Sequence, residues 1–401
     1  MASSSSRANQ NTQSRARGQP ARLSIRESTR GDSVPKYESP AEVGHFCMTA
    51  DRSVVFDRHL LRYLNLPVGA SCPNFDLNLG YRDWIEWDDS NAEEFVDPIL
   101  KWLLAQRADL VKRGLVKEAC FEADFVSRRG LLTKLAATPF DSRTDWTFCA
   151  IKFRGVTFLA EYETDAKAAE RRAMTEEHHR MSYWGFRFEQ YITASQVDDR
   201  SDGAHPINTN EQYCSIVRSR LADRHAVLLA GEVDCMKVEK GAASAEPQPQ
   251  PQYVELKTSR IWSHPRQEQN FWRFKGLKLW LQSFLAGIPE IVCGFRDDDG
   301  FVKSIKSFST QEFPRLAQRS LGAAGRGTPW TPAGSLGFLT ALLDFLKFEL
   351  SEFSDSDPYR VVKVTYDPTV SRDFVTLERI SPNSDEFRFI PDWFVTACGK
   401  L

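Results

Sequence analysis

The sequence predicts a mixed α/β protein with central mixed β-sheets flanked by helices. Three observations carry that prediction. Apolar runs of strand length, rich in Val, Ile and Phe, alternate with charged or amphipathic runs of helix length. Gly and Pro fall at the boundaries between them. The 401 residues include 27 Phe, 10 Trp and 10 Tyr, and 41% are hydrophobic, so a large core can be buried. A mainly disordered or fibrous chain is thereby excluded.

The first forty residues stand apart. They hold nine Ser and seven Lys or Arg against three acids, a local charge of +4. This composition predicts a disordered basic Ser/Arg-rich tail over 1–40 and a single folded domain over 41–401. Within the domain, Glu94–Val111 predicts a helix, and Trp146–Tyr162 a hairpin turning at Arg154-Gly155. Asp165–Met181, charged and Ala-rich, predicts a helix. Tyr183–Thr193, Ala226–Val238 and Gln252–Arg260 predict strands. Gln267–Leu285 predicts a helix stopped by Gly287 and Pro289. Strands follow at Ile291–Arg296 and Phe301–Ile305, helices at Gln311–Ser320 and Leu336–Leu350, then strands at Val361–Tyr366 and Phe374–Ile380. One segment breaks the pattern. In Lys240–Gln252 (KGAASAEPQPQPQ) alternating Pro and Gln enter neither a sheet ladder nor a helix, which predicts a Pro/Gln surface insertion between two strands.

Charge and cysteine usage exclude some classes. The formal net charge is -2, so no global positive field draws in nucleic acid, and any RNA site must be a local patch. No apolar run is long enough to span a bilayer, and the N-terminus lacks a signal-peptide core. Eight Cys are scattered without a C-x-x-C pair, which predicts reduced, mostly buried thiols in a nuclear or cytosolic protein.

The chemistry concentrates in four short segments. On a strand, residues i and i+2 share a face. In Gly231-Glu232-Val233-Asp234 two carboxylates therefore project together after the apolar run Ala226–Ala230. In Val254-Glu255-Leu256-Lys257 a carboxylate and an ammonium share a face, and Glu189 ends an aromatic strand beside Arg187. Three adjacent strands would bring Glu189, Glu232, Asp234 and Glu255 to one spot. Four carboxylates there raise one another's pKa, and hard divalent ions with oxygen ligands, Mg²⁺ or Mn²⁺, resolve the conflict. Two such ions, roughly 3.5–4 Å apart, would clamp the attacking and leaving oxygens of a phosphoryl transfer. Taken singly, an acid-x-Lys pair is usually a solvated salt bridge and a lone E-V-D says nothing. The order is informative: acid-x-acid after an apolar strand, a loop, then E-x-K on the next strand. That order resembles the PD-(D/E)xK nuclease signature.

The surrounding sequence resembles the DXO family of RNA decapping enzymes and 5′-end exoribonucleases, including fungal members that partner a nuclear exoribonuclease. The matching blocks, in family order, are Ser127-Arg128-Arg129-Gly130-Leu-Leu-Thr-Lys134, Gly185-Phe-Arg-Phe-Glu189, Gly231-Glu232-Val-Asp234-Cys, Glu255-Leu256-Lys257-Thr258 and Lys278-Leu-Trp-Leu-Gln282-Ser-Phe284. The likeness runs over roughly 42–393. It implies a nuclease-like core and a catalytic decapping domain. It implies that Glu189, Glu232, Asp234 and Glu255, with the Leu256 carbonyl, hold two metal ions, and that Lys257 and Gln282 position the nucleophile and the scissile phosphate. It implies substrate contacts from Arg128, Arg129, Gly130, Cys214 and Arg62. The expected reaction is removal of NAD caps, incomplete guanosine caps and 5′ triphosphate ends from RNA, with 5′–3′ digestion after it. NAD is then part of the substrate, since no G-x-G-x-x-G follows a strand. The alternatives are a binding subunit that stabilises a nuclear 5′–3′ exoribonuclease, and a DNA nuclease with the same centre. Two departures stand out: Arg128 replaces an aromatic residue of many relatives, and the Pro/Gln insertion lengthens the loop before Glu255. Lys275, Lys278 and Gln282 form one stripe of their predicted helix, placed to track phosphates.

Overall fold

The computed structural model of the chain describes residues 20–66, 74–87, 94–197, 205–238, 251–322 and 329–399. Among these the strands form two mixed sheets. The larger has ten strands in the order Ala21–Ser24, Phe374–Arg379, Val361–Tyr366, Trp146–Phe153, Val156–Tyr162, Phe125–Arg128, His225–Glu232, Gln212–Leu221, Ala41–Met48 and Val54–Val55. The smaller has seven: Phe75–Asp76, Phe301–Ser309, Glu290–Arg296, Tyr253–Arg260, Cys235–Met236, Tyr63–Leu64 and Thr193–Ala194. Phe125–Arg128 runs parallel to both of its neighbours, and Tyr253–Arg260 runs parallel to Glu290–Arg296.

Both faces of the large sheet are covered, and the pleat sorts its residues. On Trp146–Phe153, Trp146, Phe148 and Ala150 join a core with the helices Arg129–Ala137, Gly276–Ala286 and Pro332–Glu349. Cys149, Ile151 and Phe153 point the other way, onto the helix Asp97–Gln106 and Phe394. Fully burying each such side chain stabilises the fold by roughly 1.5–3 kcal/mol. The expected hairpin forms: Arg154 (φ 52°) and Gly155 (φ 79°) both take left-handed backbone, the geometry of a type I′ turn. The small sheet packs Val254, Leu256 and Val292 on Tyr183, Trp184 and Phe188 of the helix Glu176–Tyr191. Its other face sends Ile291, Cys293 and Phe295 into the main core.

Several sequence expectations are corrected. The fold begins before residue 41: Ala21–Ser24 pairs with Phe374–Leu377, and Ala21 and Ile25 are buried. The few apolar residues in that Ser/Arg-rich stretch suffice to cap an open sheet edge; residues 1–19 lie outside the described ones. Tyr183–Thr193 is not a strand. It belongs largely to the helix Glu176–Tyr191, whose Thr175 cap accepts the His178 N–H. Its buried residues, Tyr183, Trp184, Arg187 and Phe188, recur at helical spacing; their aromatic character mimicked a strand. The predicted Ala226–Val238 strand breaks at Val233-Asp234, where the chain leaves the large sheet at Glu232 and enters the small one at Cys235. Gln267–Leu285 is two helices, Pro265–Asn270 and Gly276–Ala286, joined by a π-turn at Phe271–Lys275. The 94–111 helix starts at Asp97 and bends at Arg107.

The Pro/Gln insertion lies outside the described residues, apart from its last two. Its flanks, Cys235–Met236 and Tyr253–Arg260, are paired antiparallel. The seven cysteines among the described residues are buried free thiols. No helix among those residues is long and apolar enough to cross a membrane.

Candidate active site

The acids meet where the two sheets join. Glu232 ends its strand in the large sheet, in register with Cys214 on the neighbouring strand. Asp234 sits on the crossing segment, and its carboxylate accepts the Leu256 N–H at 2.6 Å and is 3.3 Å from Lys257 Nζ. Glu255 and Lys257 project from one face of Tyr253–Arg260, with Lys257 Nζ 2.6 Å from Glu255 Oε1. Glu189 arrives from the helix Glu176–Tyr191, whose last turn is tied down by Thr193 donating to the Glu189 carbonyl at 2.7 Å. The four acids do converge, but on two strands, a crossing segment and a helix.

Arg129, at the start of the helix Arg129–Ala137, closes the cluster from below. Its guanidinium is 7% exposed and lies 3.5 Å from Glu255 Oε2. Gly231 makes room for it, because a Cβ there would stand 2.8 Å from Arg129 Nε. Glu255 is fully buried, and the Lys257 ammonium and the Arg129 guanidinium face its two oxygens.

The electrostatics divide the cluster. Burial, and then the Asp234 charge, raise Glu189 well above the usual carboxylate range. Glu232 opens onto the groove and is exposed to solvent, yet the surrounding protein and then Asp234 push it up, to about 7, with Lys257 and Arg129 opposing. Asp234 is raised by burial and by Glu255. Burial alone would raise Glu255 as well, but Lys257 and Arg129 overcome it and hold that carboxyl low. Burial disfavours the Lys257 ammonium, yet Asp234, Glu255 and Glu189 outweigh it and keep the lysine charged. Two protein cations thus satisfy one carboxylate and leave three competing for protons. Three further carboxylates, held close together without a cation of their own, are a donor set that fits hard divalent cations.

Two grooves reach this cluster. One, of about 540 Å³, is lined by Glu189, Glu232 and Asp234 together with Arg62, Trp84, Trp87 and Phe186. The other, of about 350 Å³, includes Lys257 and the exposed face of the Phe271–Lys275 turn.

The remaining expected residues fall at different depths. Arg62 lines the larger groove, but its guanidinium donates to the Thr193 hydroxyl (2.7 Å) and carbonyl (3.2 Å). Arg128 donates to the Phe95 carbonyl (2.9 Å) and lies 3.5 Å from Glu94. Gly130 follows Arg129 in the first turn of the helix Arg129–Ala137, with open space where a Cβ would be. Cys214 is 2% exposed beside Glu232. Gln282 is half-buried on Gly276–Ala286 and lines neither groove, whereas Lys275 and Lys278 line the smaller one.

Sequence reasoning missed a second polar group. Arg52 grips Glu94 through two bonds (2.8 and 2.5 Å), donates to the Asn210 carbonyl and stacks over Trp87. Arg128 reaches the same Glu94 carboxylate at 3.5 Å, so the two arginines share one acid. These residues lie far apart in the chain and share no motif, so only the fold could unite them.

A model of the family described as RAI1 like PD-(D/E)XK nuclease matches residues 38–395. The chain belongs to this family. Among curated relatives, the mouse decapping and exoribonuclease protein is 36% identical over 364 residues, covering 90% of this chain and 85% of the relative. The fold resembles that of Scheffersomyces stipitis Rai1, solved in complex with (3'-NADP)+ and calcium ion, at a TM-score of 0.75 and 25% identity over 94% of this chain and 99% of that one. It also resembles Candida albicans Rai1, solved in complex with pU5-Mn2+, at a TM-score of 0.77 and 23% identity over 95% and 99% of the two chains. The RAI1-like match covers the whole acid cluster and both grooves.

Proposed function

We propose that this RAI1-like nuclease is a decapping hydrolase of RNA 5′ ends. It cleaves a phosphodiester just inside the end and releases NAD caps, incomplete guanosine caps or triphosphorylated 5′ nucleotides, with 5′–3′ digestion to follow. One observation carries the reading: four carboxylates at the junction of two sheets, opposed among the described residues by Arg129 and Lys257, and open to a groove that would admit a nucleotide. The names of the curated relatives, and the pU5 and (3'-NADP)+ ligands of the solved ones, support the substrate class.

Glu189, Glu232, Asp234 and Glu255, with the Leu256 carbonyl, would hold two ions, Mg²⁺ or Mn²⁺. Such ions, when bound, lower the pKa of water and neutralise charge on a phosphoryl oxygen. The protein's own groups do the rest. The Leu256 N–H fixes one oxygen of Asp234. Arg129 and Lys257 keep Glu255 ionised. Lys257, held protonated, presents a positive pole where the scissile phosphate must lie. Trp84, Trp87 and Phe186 offer faces on which cap bases would stack. Nuclear residence and a 5′–3′ exoribonuclease partner belong to this proposal through the likeness to fungal members.

The deciding experiment offers purified protein triphosphate-ended, NAD-capped and methyl-capped RNAs, with and without Mn²⁺, and identifies the released 5′ products. Release of intact NAD or of a triphosphorylated nucleotide, dependent on the ion, is the expected result. Binding of these RNAs without any product would instead leave the stabilising-subunit role.

A further inference from the structure

The strand Ala41–Met48 turns back through Thr49–Ser53 and pairs antiparallel with Val54–Val55, which sets Cys47 opposite Val55. Beyond Val55 the side chains part. Arg58 reaches back to Glu42 at 2.9 Å and lies 3.4 Å from His45 Nε2. Asp57 and His59 instead face each other, with Asp57 Oδ1 2.5 Å from His59 Nδ1. Cys47 lies beside that pair, its thiol donating to the Asp57 carbonyl at 3.4 Å. One sulfur, one imidazole nitrogen and one carboxylate oxygen thus come within 4.8 Å of one another. The three residues lie outside the acid cluster, and the proposed hydrolysis uses none of them.

This donor set differs in kind from the acid cluster. All-oxygen donors suit Mg²⁺ or Mn²⁺, whereas a thiolate with an imidazole and a carboxylate favours zinc-class cations. Zinc takes such ligands at about 2.0–2.3 Å in a tetrahedron, which sets them roughly 3.3–3.6 Å apart. Asp57 and His59 stand closer because they share a hydrogen bond, and their side chains, 51% and 45% exposed, can part to admit an ion. Cys47 is held fast, with no exposed surface. Burial raises its thiol, with the Leu60 N–H opposing, so the sulfur keeps its proton until a cation displaces it. Solvent supplies the fourth ligand on the exposed side.

We propose that Cys47, Asp57 and His59 bind one zinc-class cation, at a site separate from the acid cluster and of different ligand chemistry. The ion clips the strand Ala41–Met48 to the segment 57–62, whose Leu60, Leu61 and Arg62 line the larger groove, and so stiffens that wall. The test uses the full chain with Co²⁺ as the spectroscopic probe, in excess Mg²⁺ to occupy the acid cluster. Co²⁺ should give a thiolate-to-cobalt charge-transfer band and the intense d–d bands of tetrahedral geometry, and Zn²⁺ should bleach both. Asp234→Asn should leave these bands unchanged. Cys47→Ser should abolish the charge-transfer band. His59→Gln and Asp57→Asn, both at exposed positions, should each weaken Zn²⁺ binding at least about tenfold. Zn²⁺ should also raise the melting temperature of the wild type and not that of His59→Gln. If Cys47→Ser fails to fold, the two exposed variants decide. A wild type without the thiolate band, or equal Zn²⁺ affinity in wild type, Asp57→Asn and His59→Gln, would overturn the site.

Discussion

Two charge clusters meet on opposite ends of the helix Arg129–Ala137, and their charges are balanced in opposite ways. At its C-terminal end Lys134 pairs with Glu161, which also lies 2.9 Å from Lys167. Burial alone would raise Glu161, but the two ammonium groups hold it below the usual range. The excess charge falls on Lys134, which burial lowers to about 8 with Lys167 adding to it and Glu161 opposing. At the N-terminal end Arg129 and Lys257 face four acids, and three of those are pushed upward. The first cluster contains the cations it needs and stabilises the fold. The second lacks them and must recruit cations from solution, which is the physical difference between a structural ion pair and a metal centre.

The largest expected effect comes from removing an acid at the deficient end. Asp234→Asn and Glu232→Gln should each lower hydrolysis by roughly 10³-fold or more, because charge at the reacting centre is lost. Their stability should move the other way. Glu232 is raised to about 7 against an ordinary 4.5, so the native state keeps a proton that the unfolded chain has lost, although its exposure to solvent leaves only part of that shift as stability. Stability of the ion-free protein therefore falls as pH rises from about 4.5 through 7. In Glu232→Gln that fall should shrink. Melting curves in chelator at pH 5 and pH 8 check this; an equally steep decline in the variant would mean that Glu232 is not the group under strain.

Next come the two cations of the same cluster. Lys257→Ala should lower kcat by ~10²–10³. Arg129→Ala should behave alike and not as a simple RNA-binding mutant, since its guanidinium is buried against Glu255. Losing it lets Glu255 take up a proton, so raised Mn²⁺ should restore part of the rate. Single-turnover cleavage across a Mn²⁺ titration distinguishes the cases. A higher KM with unchanged kcat and no Mn²⁺ response would return Arg129 to the role that family resemblance implies.

Breaking the balanced end should cost stability and spare chemistry. Glu161→Gln leaves two half-buried ammonium groups facing each other, a loss of about 1–3 kcal/mol. Burial already lowers Lys134 to about 8 from an ordinary 10.5, and losing Glu161, which raises it, lowers it further, so stability of the variant should recover as pH rises from below 8 toward 10.5. Denaturant midpoints at pH 7 and 9, beside turnover per folded molecule, test both halves. A catalytic defect without a stability defect would merge the two clusters into one functional unit.

The same contrast explains what could be read from the sequence. Hairpin and sheet residues such as Trp146–Tyr162 were legible because each strand's pattern reflects its own two faces, and the Arg154-Gly155 turn is local. The identities of the acids were legible because E-V-D and E-L-K are short and ordered. Their elements were not. Glu189 follows aromatic residues that favour strands in isolation, yet a cap at Thr175 and burial of Phe188 against Gly294 make the segment helical. The break at Val233 was hidden because moving from one sheet to another leaves no mark on alternation. The Arg52–Glu94–Arg128 group could not be seen at all, since its members are brought together only by tertiary packing.

The smallest effect belongs to a third cluster that tests whether balance alone is enough. Asp344 accepts from Arg224 at 3.0 and 2.6 Å and lies 2.9 Å from the buried ring of His225. Burial would raise this carboxyl, but the hydrogen bonds and charges of His225 and Arg224 hold it at about 2. Its stabilisation is therefore present above the ordinary carboxylate pKa and is lost as pH falls from about 4 toward 2. Asp344 is 45% exposed, so solvent screens the pair, and Asp344→Asn should cost less than about 1 kcal/mol at pH 7. Urea midpoints of variant and wild type should lie closer together at pH 3 than at pH 7, because the unfolded chain's carboxyl is by then protonated while the native one is not. A cost above about 2 kcal/mol would show that the interaction with 1%-exposed His225, and not the exposed arginine pair, carries the energy. Burial would then outrank charge balance in deciding which ion pairs stabilise this fold.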